Sequence, residues 1–315
     1  MNWTADDLPD LHGRVVVVTG ASSGLGEATT VALATRGAHV VLATRSVDKT
    51  HRVMERVRVR TPDASLEHLP VDLAELASVA EAADALRERH ARLDAVVANA
   101  GIMAPPLSRT VDGFELQLGV NHLGHFAFVG QVLPMVLAAE AGRVVVVSST
   151  LHRMGRIDLD DLNWETTRYQ RWPAYGRSKL ANLLYVLELQ RRLDAAGSTA
   201  IAVGAHPGYT RTALQTTGPT MQGGLSGAVT GLLSQVANLV VAQPASRGVL
   251  PQLYATVAPD VAGASYWGPD GPVEVRGFPA PASRSPAALD GEVARRLWKI
   301  SETLTGVSYD LPVSA

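Results

Sequence analysis

The sequence contains no cysteine, only three lysines and few aromatic residues. Without cysteine, this chain of 315 residues cannot form disulfides, thiolate metal sites or thiol nucleophiles. A large excess of charge is also missing, because the formal net charge is −2, so neither nucleic acid nor an anionic membrane is expected as the main partner. What remains, 46% hydrophobic and 18% charged residues, is the composition of an ordinary soluble globular protein.

The amino-terminal stretch has no features of a targeting segment. Residues 1–13, MNWTADDLPDLHG, are acidic and contain no apolar core. A signal peptide or a membrane anchor is therefore not expected there. By default, we expect a cytoplasmic protein without a membrane anchor.

Short apolar runs alternate with helical patterns along most of the chain. Several runs are almost continuous valine and leucine, as expected for parallel strands with helices on both faces. This alternation predicts one doubly wound, Rossmann-type α/β domain over residues 1–315, with a mostly parallel seven-stranded sheet and helices on both faces. The predicted strands are 14–20, 38–45, 65–72, 93–101, 142–149, 199–208 and 263–271.

The alternation stops near residue 209. Residues 212–246 contain no charged side chain, but Gly, Ser, Gln and Asn interrupt the run too often for a transmembrane span. We interpret 209–247 as an apolar lid over a ligand pocket; a buried helix pair is the alternative. A carboxy-terminal extension, 279–315, begins with a Pro-rich stretch and continues into a helix near 287–304.

A glycine-rich loop, TGASSGLG, follows the first predicted strand and opens a helix. Its glycines allow a tight turn, and the helix N-terminus offers free N–H groups and a positive dipole to a pyrophosphate. A turn that merely needs small residues is the alternative. The candidate cofactor contacts in this loop are Gly20, Ser22, Ser23, Gly24, Leu25 and Gly26.

No carboxylate stands at the end of the second predicted strand, where one would bind the ribose of NAD. The sequence there is LATRS, and the guanidinium of Arg45 suits a 2′-phosphate. We therefore predict NADP, with NAD less favoured; the alternative is a solvated arginine. Asp48 is expected to cap the next helix.

Tyr175 and Lys179 lie four positions apart on a predicted helix, so their side chains share one face. A nearby ammonium is expected to lower the pKa of the tyrosine and to make it an acid–base catalyst. Lysine offers a compact charge with three donors that an arginine fork would not replace. An exposed helix pair is the alternative.

Together these motifs resemble the short-chain dehydrogenases/reductases over residues 13–270. The motifs occur in that family's order: the glycine spacing, NAG at 99–101, VNHLGHF at 120–126, VVVVSS, YGRSK and HPGYTRT at 206–212. NHLGHF, SSTLH and HPGYTRT are most similar to its retinol dehydrogenase-like branch. The apolar N-terminal segment of that branch's membrane-bound members is missing here.

The resemblance implies a role for each matching residue. Ser149, rather than Ser148, would bind the substrate carbonyl, Tyr175 would transfer the proton, and Lys179 would support it while Asn121 holds a water. Implied cofactor contacts, besides the glycine loop and Arg45, are Asp72, Leu73, Asn99, Ala100, Gly101, Tyr175, Lys179, Pro207, Gly208 and Thr210. Asp72 could instead cap a helix, Asn99 could brace a strand and Thr210 could begin a turn.

The resemblance implies an NADP(H)-dependent oxidoreductase acting on a small apolar alcohol, ketone or aldehyde. Two alternatives stay open: a carbon–carbon double-bond reductase and a non-catalytic NADP-sensing regulator. Oligomers in the family often form through the helices bearing Asn121 and Tyr175, so a homodimer or homotetramer is compatible with the sequence. No metal site is predicted, because His122, His125, His152 and His206 lack the pairing that zinc needs.

Overall fold

The computed structural model describes residues 2–210 and 243–311. Most of the predicted lid, 209–247, therefore lies outside the described residues. Within them, one eight-stranded sheet runs in the order β3-β2-β1-β4-β5-β6-β7-β8. The strands are β1 Val15–Thr19, β2 His39–Thr44, β3 Leu66–Pro70, β4 Ala95–Ala98, β5 Arg143–Val147, β6 Ile201–Ala205, β7 Tyr266–Pro269 and β8 Pro279–Pro281.

The sheet is parallel from β3 to β7, and β8 joins it antiparallel to β7. The doubly wound, mostly parallel fold is thus confirmed, with one strand more than the seven predicted. The additional strand begins and ends with proline, a residue that lacks a backbone N–H and signals a loop in sequence. An edge position tolerates it, because only one side of an edge strand pairs.

Helices cover both faces of the sheet and cross over between parallel strands. The described helices are α1 Gly24–Thr35, α2 Val47–Arg60, α3 Leu76–Arg89, α4 Leu116–Leu118, α5 Gly124–Leu137, α6 Arg171–Ala195, α7 Ala245–Gly248, α8 Leu250–Val257 and α9 Gly291–Thr305. A π-helical turn, Gly119–Leu123, joins α4 to α5. Short 3₁₀ turns occur at Ala5–Asp7, Thr150–Met154, Pro272–Glu274 and Pro286–Leu289.

The two hydrophobic layers follow from the alternation of side chains along each strand. In β1, Val17 points to a core shared with α3, α5 and α6, whereas Val16 and Val18 point to a core shared with α1, α2 and α8. Both faces of the central strands are therefore buried, which explains their nearly unbroken valine runs.

One continuous helical stretch, Leu116–Leu137, is long and apolar enough to cross a membrane by length and composition. In the folded chain, 78% of its apolar window is buried against other parts of the protein. This burial is what a central core helix requires, because α5 packs between the sheet and other helices.

Candidate functional site

A cleft opens at the carboxyl edge of the sheet, where β1 lies between β2 and β4. The chain runs from β1 to β2 and β3 on one side and then crosses to β4 on the other side of β1. Such switch points are where open α/β sheets bind ligands. The cleft has a volume of about 520 Å³. Among the residues lining it are the predicted contacts Gly20, Ser22, Ser23, Gly24, Leu25, Gly26, Arg45, Asp72, Leu73, Asn99, Ala100 and Gly101.

The glycine loop brings the start of α1 to the floor of this cleft. The side chain of Ser23, at the N-cap of α1, makes no capping hydrogen bond, so the first N–H groups of the helix remain available to an anion. A Cβ on Gly26 would lie 2.3 Å from the carbonyl oxygen of Gly20. The loop can therefore close this tightly only with glycine at position 26, and its geometry suits a pyrophosphate.

The end of β2 contributes positive charge to the cleft. The Nη1 atom of Arg45 lies 3.4 Å from Oδ2 of Asp72, and both side chains line the cleft. Lys49, in the first turn of α2, lines it as well; its sequence position alone gave no sign of this. The helix cap is Ser46, not Asp48 as expected, because the Ser46 hydroxyl accepts the Lys49 N–H.

A buried hydrogen-bond relay connects β1, β4 and the π-helical turn. The Thr19 hydroxyl oxygen accepts the N–H groups of Asn99 and Ala100, each at 2.9 Å, and lies 2.8 Å from Nε2 of His125. Since Nδ1 of His125 lies 3.1 Å from the carbonyl oxygen of Asn121, it must carry the ring proton. Burial, the main cause, lowers the pKa of His125 to about 4, which keeps the ring neutral.

The side chains of Asn99 and Asn121 brace backbone within this region. Asn99 Nδ2 donates to the carbonyl oxygen of Thr19 at 2.8 Å, so Asn99 both lines the cleft and ties β4 to β1. Asn121 bonds the N–H and carbonyl of Ile102 at 2.8 and 3.0 Å and donates to Ser178 Oγ at 2.9 Å. The Asn121 side chain therefore connects the strand-4 loop to α6.

The two serines at the end of β5 have different surroundings. Ser148 is buried, and its hydroxyl donates to the carbonyl oxygen of Lys179 at 2.8 Å. Ser149 caps the following 3₁₀ turn, with its hydroxyl accepting the Leu151 N–H at 3.2 Å. The Ser149 hydroxyl also faces the Tyr175 phenol, where hydrogen bonding offsets part of the effect of burial on the phenol.

Tyr175 and Lys179 lie near the N-terminal end of α6, and both are buried. The Lys179 ammonium lies 5.8 Å from the centre of the Tyr175 ring and donates to the carbonyl oxygen of Val147 at 3.0 Å. Burial raises the pKa of Tyr175 to about 12 and lowers that of Lys179 to about 8. The tyrosine pKa therefore moves opposite to the direction expected from sequence, because loss of water outweighs the distant ammonium.

Pro207, Gly208 and Thr210 follow β6, but they are not among the described residues that line the cleft. The carbonyl oxygen of Pro207 accepts hydrogen bonds from the Thr210 hydroxyl and from Gln243, each at 2.8 Å. These bonds hold a turn beside the end of β5. Ser149, Tyr175 and Lys179 are likewise not among the residues that line the cleft, which surrounds the glycine loop and the end of β2. Lys179 reaches its border, because a Cβ on the lining residue Gly101 would lie 3.5 Å from Lys179 Nζ.

The four histidines considered from sequence are separate and buried. His122 Nε2 lies 3.0 Å from the Ser301 hydroxyl, whereas His125 bonds Thr19, as described above. His152 and His206 lie behind Ser149 and beside the turn after β6. Their polar contacts lie within the fold: His152 Nδ1 bonds the carbonyl oxygen of Ser149, His206 Nδ1 accepts the Gly208 N–H, and His206 Nε2 lies 3.1 Å from Glu274 Oε2.

A histidine–glutamate cluster, which no sequence spacing indicated, occurs at the amino edge of the sheet. Glu67 Oε2 lies 3.2 Å from His39 Nε2 and 2.8 Å from His90 Nε2, a grouping that a cation could bridge. Arg89 already donates to Glu67 Oε1 at 2.8 Å. Burial raises the Glu67 pKa, but the bonds from Arg89, His90 and His39 outweigh it and lower that pKa overall. We interpret the cluster as an Arg89–Glu67 ion pair to which His39 and His90 add hydrogen bonds.

Comparisons with known proteins agree with this geometry. The family model described as short chain dehydrogenase matches residues 14–222. Human retinol dehydrogenase 13 is 40% identical over 298 residues, covering 94% of this chain and 86% of that protein.

Two solved structures extend the comparison. The crystal structure of an uncharacterized protein from Mycobacterium Paratuberculosis is 41% identical, with a TM-score of 0.80, and covers 99% of this chain and 100% of that one. A structure from Beutenbergia cavernae, described as an NAD(P) dependent gluconate 5-dehydrogenase with bound NADP, is 25% identical with a TM-score of 0.60. It covers 82% of this chain and 95% of that one.

Proposed function

The chain belongs to the short-chain dehydrogenase family, nicotinamide-dependent oxidoreductases that act on CH–OH and C=O groups, and on this premise we propose that it transfers hydride between NADP(H) and an apolar alcohol, ketone or aldehyde. The observation that carries the proposal is the group at the end of β5: a serine hydroxyl, a buried phenol and a buried ammonium next to a nucleotide-sized cleft.

Ser149 and Tyr175 act on the substrate oxygen in the proposed reduction. Ser149 donates a hydrogen bond to the carbonyl oxygen and stabilises the charge that develops there. The bound nicotinamide supplies hydride to the carbonyl carbon, or accepts it during oxidation. Tyr175 then gives its proton to the oxygen; with a pKa of about 12 it holds that proton at neutral pH.

Lys179 and Asn121 support the return of the proton to Tyr175. Lys179 has a pKa of about 8 and is mostly charged at neutral pH, which stabilises the phenolate after proton transfer. One of its N–H bonds is used by Val147, leaving two for a ribose or a water. The family resemblance assigns that water to Asn121, whose side chain bonds Ile102 and Ser178 beside Lys179.

NADP is favoured over NAD by the charges at the end of β2. Arg45 and Lys49 both line the cleft where the adenosine ribose of a nucleotide would lie next to α1. Two cations suit a 2′-phosphate. The nearby carboxylate of Asp72 already pairs with Arg45, so its negative charge is partly balanced. NADP in the Beutenbergia structure supports the same choice.

Exposed apolar side chains close in sequence to Ser149 and Tyr175 support an apolar substrate. Met154, in the turn after Ser149, is 54% exposed, and Trp172, three residues before Tyr175, is 41% exposed. Retinol, the substrate named in the human relative, is an alcohol of this kind. The uncharged composition of 212–246, which the sequence predicts to be a lid, favours the same substrate class.

The direct test is Tyr175→Phe, assayed for NADPH oxidation with a panel of apolar aldehydes and ketones. We expect turnover to fall by about 10³-fold or more, because the proton donor is removed, while NADPH binding changes little. Tyr254→Phe is the matched control, since its hydroxyl bonds Asp260 and Tyr254 does not line the cleft. Turnover retained in Tyr175→Phe would contradict the mechanism.

The same assays separate the alternatives. A double-bond reductase would turn over enones but not simple carbonyls, and would release no alcohol. A sensor would bind NADPH tightly with no turnover on any substrate. A cytoplasmic location, the absence of a membrane anchor and an oligomeric state stay predictions that cell fractionation and light scattering would test.

A further inference from the structure

The turn that follows β6 lies directly beside the catalytic serine. The N–H of Ser148 donates to the carbonyl oxygen of Ala205 at 2.7 Å, so the last residue of β6 pairs with the end of β5. His206 and the Pro207–Gly208 turn come next. Whatever fixes this turn therefore also fixes the space next to Ser149.

His206 is completely buried, and its proton can be assigned from its neighbours. The N–H of Gly208 donates to Nδ1 at 3.2 Å, so Nδ1 carries no proton and Nε2 does. Nε2 lies 3.1 Å from Oε2 of Glu274, off the axis of a linear hydrogen bond. The other carboxylate oxygen accepts the N–H and hydroxyl of Ser283, at 2.9 and 2.6 Å. The carboxylate thus links the His206 ring to the segment leading into α9.

The backbone is strained at Glu274, which carries this carboxylate, and at the residue before it. Val273 and Glu274 both have positive φ angles, 55° and 56°, although neither is glycine. Such angles cost energy for branched and long side chains and persist only when other contacts hold them. The next residue, Val275, accepts the N–H of Tyr209 at 2.8 Å, and its carbonyl oxygen would lie 2.3 Å from a Cβ on Gly208. The strained loop and the turn after β6 are therefore in close contact.

A second histidine connects the same segment to Ser149. The N–H of Ser285 donates to Nε2 of His152 at 3.1 Å, so the ring proton is on Nδ1. Nδ1 lies 2.7 Å from the carbonyl oxygen of Ser149 and donates to it. Ser149 is thus tied through His152, and the turn after β6 is tied through His206, to residues 273–285, which we call the C-terminal brace.

We propose that Glu274, in the C-terminal brace, is a positioning residue that acts through His206 to hold the Pro207–Gly208 turn against the nicotinamide end of the cofactor. This inference rests on the proposed function, and the place of the turn at the nicotinamide carboxamide is what the family resemblance implies for Pro207. The adenosine end of the cleft is built from other elements, so the brace should not affect it.

The test compares two ligands on Glu274→Gln, which keeps the side-chain size and an acceptor for Ser283. The ligands are NADPH and 2′-phosphoadenosine diphosphoribose, which is NADPH without the nicotinamide. We expect NADPH affinity and kcat each to fall about tenfold, because a charged contact to a buried ring is lost. Affinity for the fragment should stay within about twofold, because its contacts lie at the glycine loop and the end of β2.

Two further variants sharpen the result. Glu140→Gln is the control for loss of a carboxylate, since Glu140 is exposed and its only described bond uses its backbone oxygen. His206→Asn keeps an acceptor for the Gly208 N–H but shortens the reach to Glu274. If Glu274 acts through His206, the double variant should lose no more than the more damaging single variant.

Each outcome bears on one of the two proposals. Equal losses of NADPH and fragment affinity, or unchanged kcat and NADPH affinity in Glu274→Gln, would overturn the positioning role. Should His206→Asn fail to fold, the two-ligand comparison on Glu274→Gln still decides. A wild-type protein that binds NADPH more tightly than the fragment yet reduces no carbonyl would overturn the proposed activity alone.

Discussion

The buried charge of Lys179 serves the proposed chemistry and lowers the stability of the fold. Burial lowers its pKa from 10.5 to about 8, so its charged form is less favoured in the folded chain than in the unfolded one. The carbonyl oxygen of Val147, which Lys179 bonds at 3.0 Å, also accepts Asn182 Nδ2 at 3.2 Å. That oxygen would stay paired without the lysine.

We therefore expect Lys179→Met to be more stable than the wild type and inactive. Because a lowered lysine pKa penalises the folded state while the group is charged, the gain should be about 3 kcal/mol at pH 7. It should shrink between pH 8 and 10.5, where the folded wild type releases the proton first and becomes more stable. Urea titrations across this pH range measure it, with exposed Lys299→Met as control. Lower stability of Lys179→Met at pH 7 would contradict this interpretation.

The prediction that the protein prefers NADP over NAD rests on Arg45 and Lys49. Replacing both by alanine removes the two cations that line the cleft at the end of β2. We expect kcat/KM for NADPH to fall by about 10²-fold and that for NADH to change little, since only NADPH has a 2′-phosphate to lose ion pairs. Arg52→Ala, an exposed arginine on the same helix, is the control. An equal effect on both cofactors would remove the basis for NADP.

At the scale of elements, the glycine loop and α1 depend on a single close approach. In Gly26→Ala, the new Cβ would press on the Gly20 carbonyl and on Asn99 Nδ2, at 2.3 and 2.8 Å. The loop must open, so we expect NADPH affinity to fall by about 10²-fold or more and stability by about 2 kcal/mol. Gly291→Ala, where the nearest atom is Arg295 Nη1 at 3.5 Å, should be neutral or stabilising. Calorimetry with NADPH and thermal unfolding compare the two.

The elements that could be predicted from sequence are those with local signals. Valine runs gave the parallel strands, and glycine spacing gave the loop before α1, because these patterns reflect burial and backbone geometry. β8 was missed because its prolines read as loop. The cap of α2 was misassigned to Asp48, since Ser46 and Asp48 are both good caps and only the backbone path decides.

The parts of the site that could not be predicted depend on tertiary distance. Lys49 reaches the cleft only because α2 starts beside the end of β2. The direction of the Tyr175 pKa depends on burial and on the 5.8 Å distance to the ammonium, neither of which the i, i+4 spacing specifies. The contact of Glu274 with His206 joins residues 68 positions apart through an irregular loop.

At the scale of the whole molecule, the carboxy-terminal extension is part of the core. Trp298 of α9 and Tyr309 pack on Phe126 of α5, with ring centres 5.0 and 4.8 Å from it. The Tyr309 hydroxyl also donates to the Phe126 carbonyl oxygen at 2.7 Å. The extension thus covers part of the α5 and α6 surface through which the sequence predicts an oligomer.

Trp298→Ala tests how far the fold depends on this extension. We expect a loss of about 3–5 kcal/mol, because a large aromatic side chain that is 2% exposed leaves a cavity. Trp172→Ala, at 41% exposed, should cost less than about 1 kcal/mol and is the matched control. Urea unfolding monitored by circular dichroism compares them; a loss in Trp298→Ala as small as that expected for the control would contradict a stabilising role of the extension.

The packing of α9 has a consequence for assays at low concentration. Asn121, Tyr175 and Lys179 stand on helical elements that α9 packs against, so we expect them to keep their positions without a neighbouring copy. Specific activity should then be the same at nanomolar and micromolar enzyme, and the rate should rise in strict proportion to the amount added.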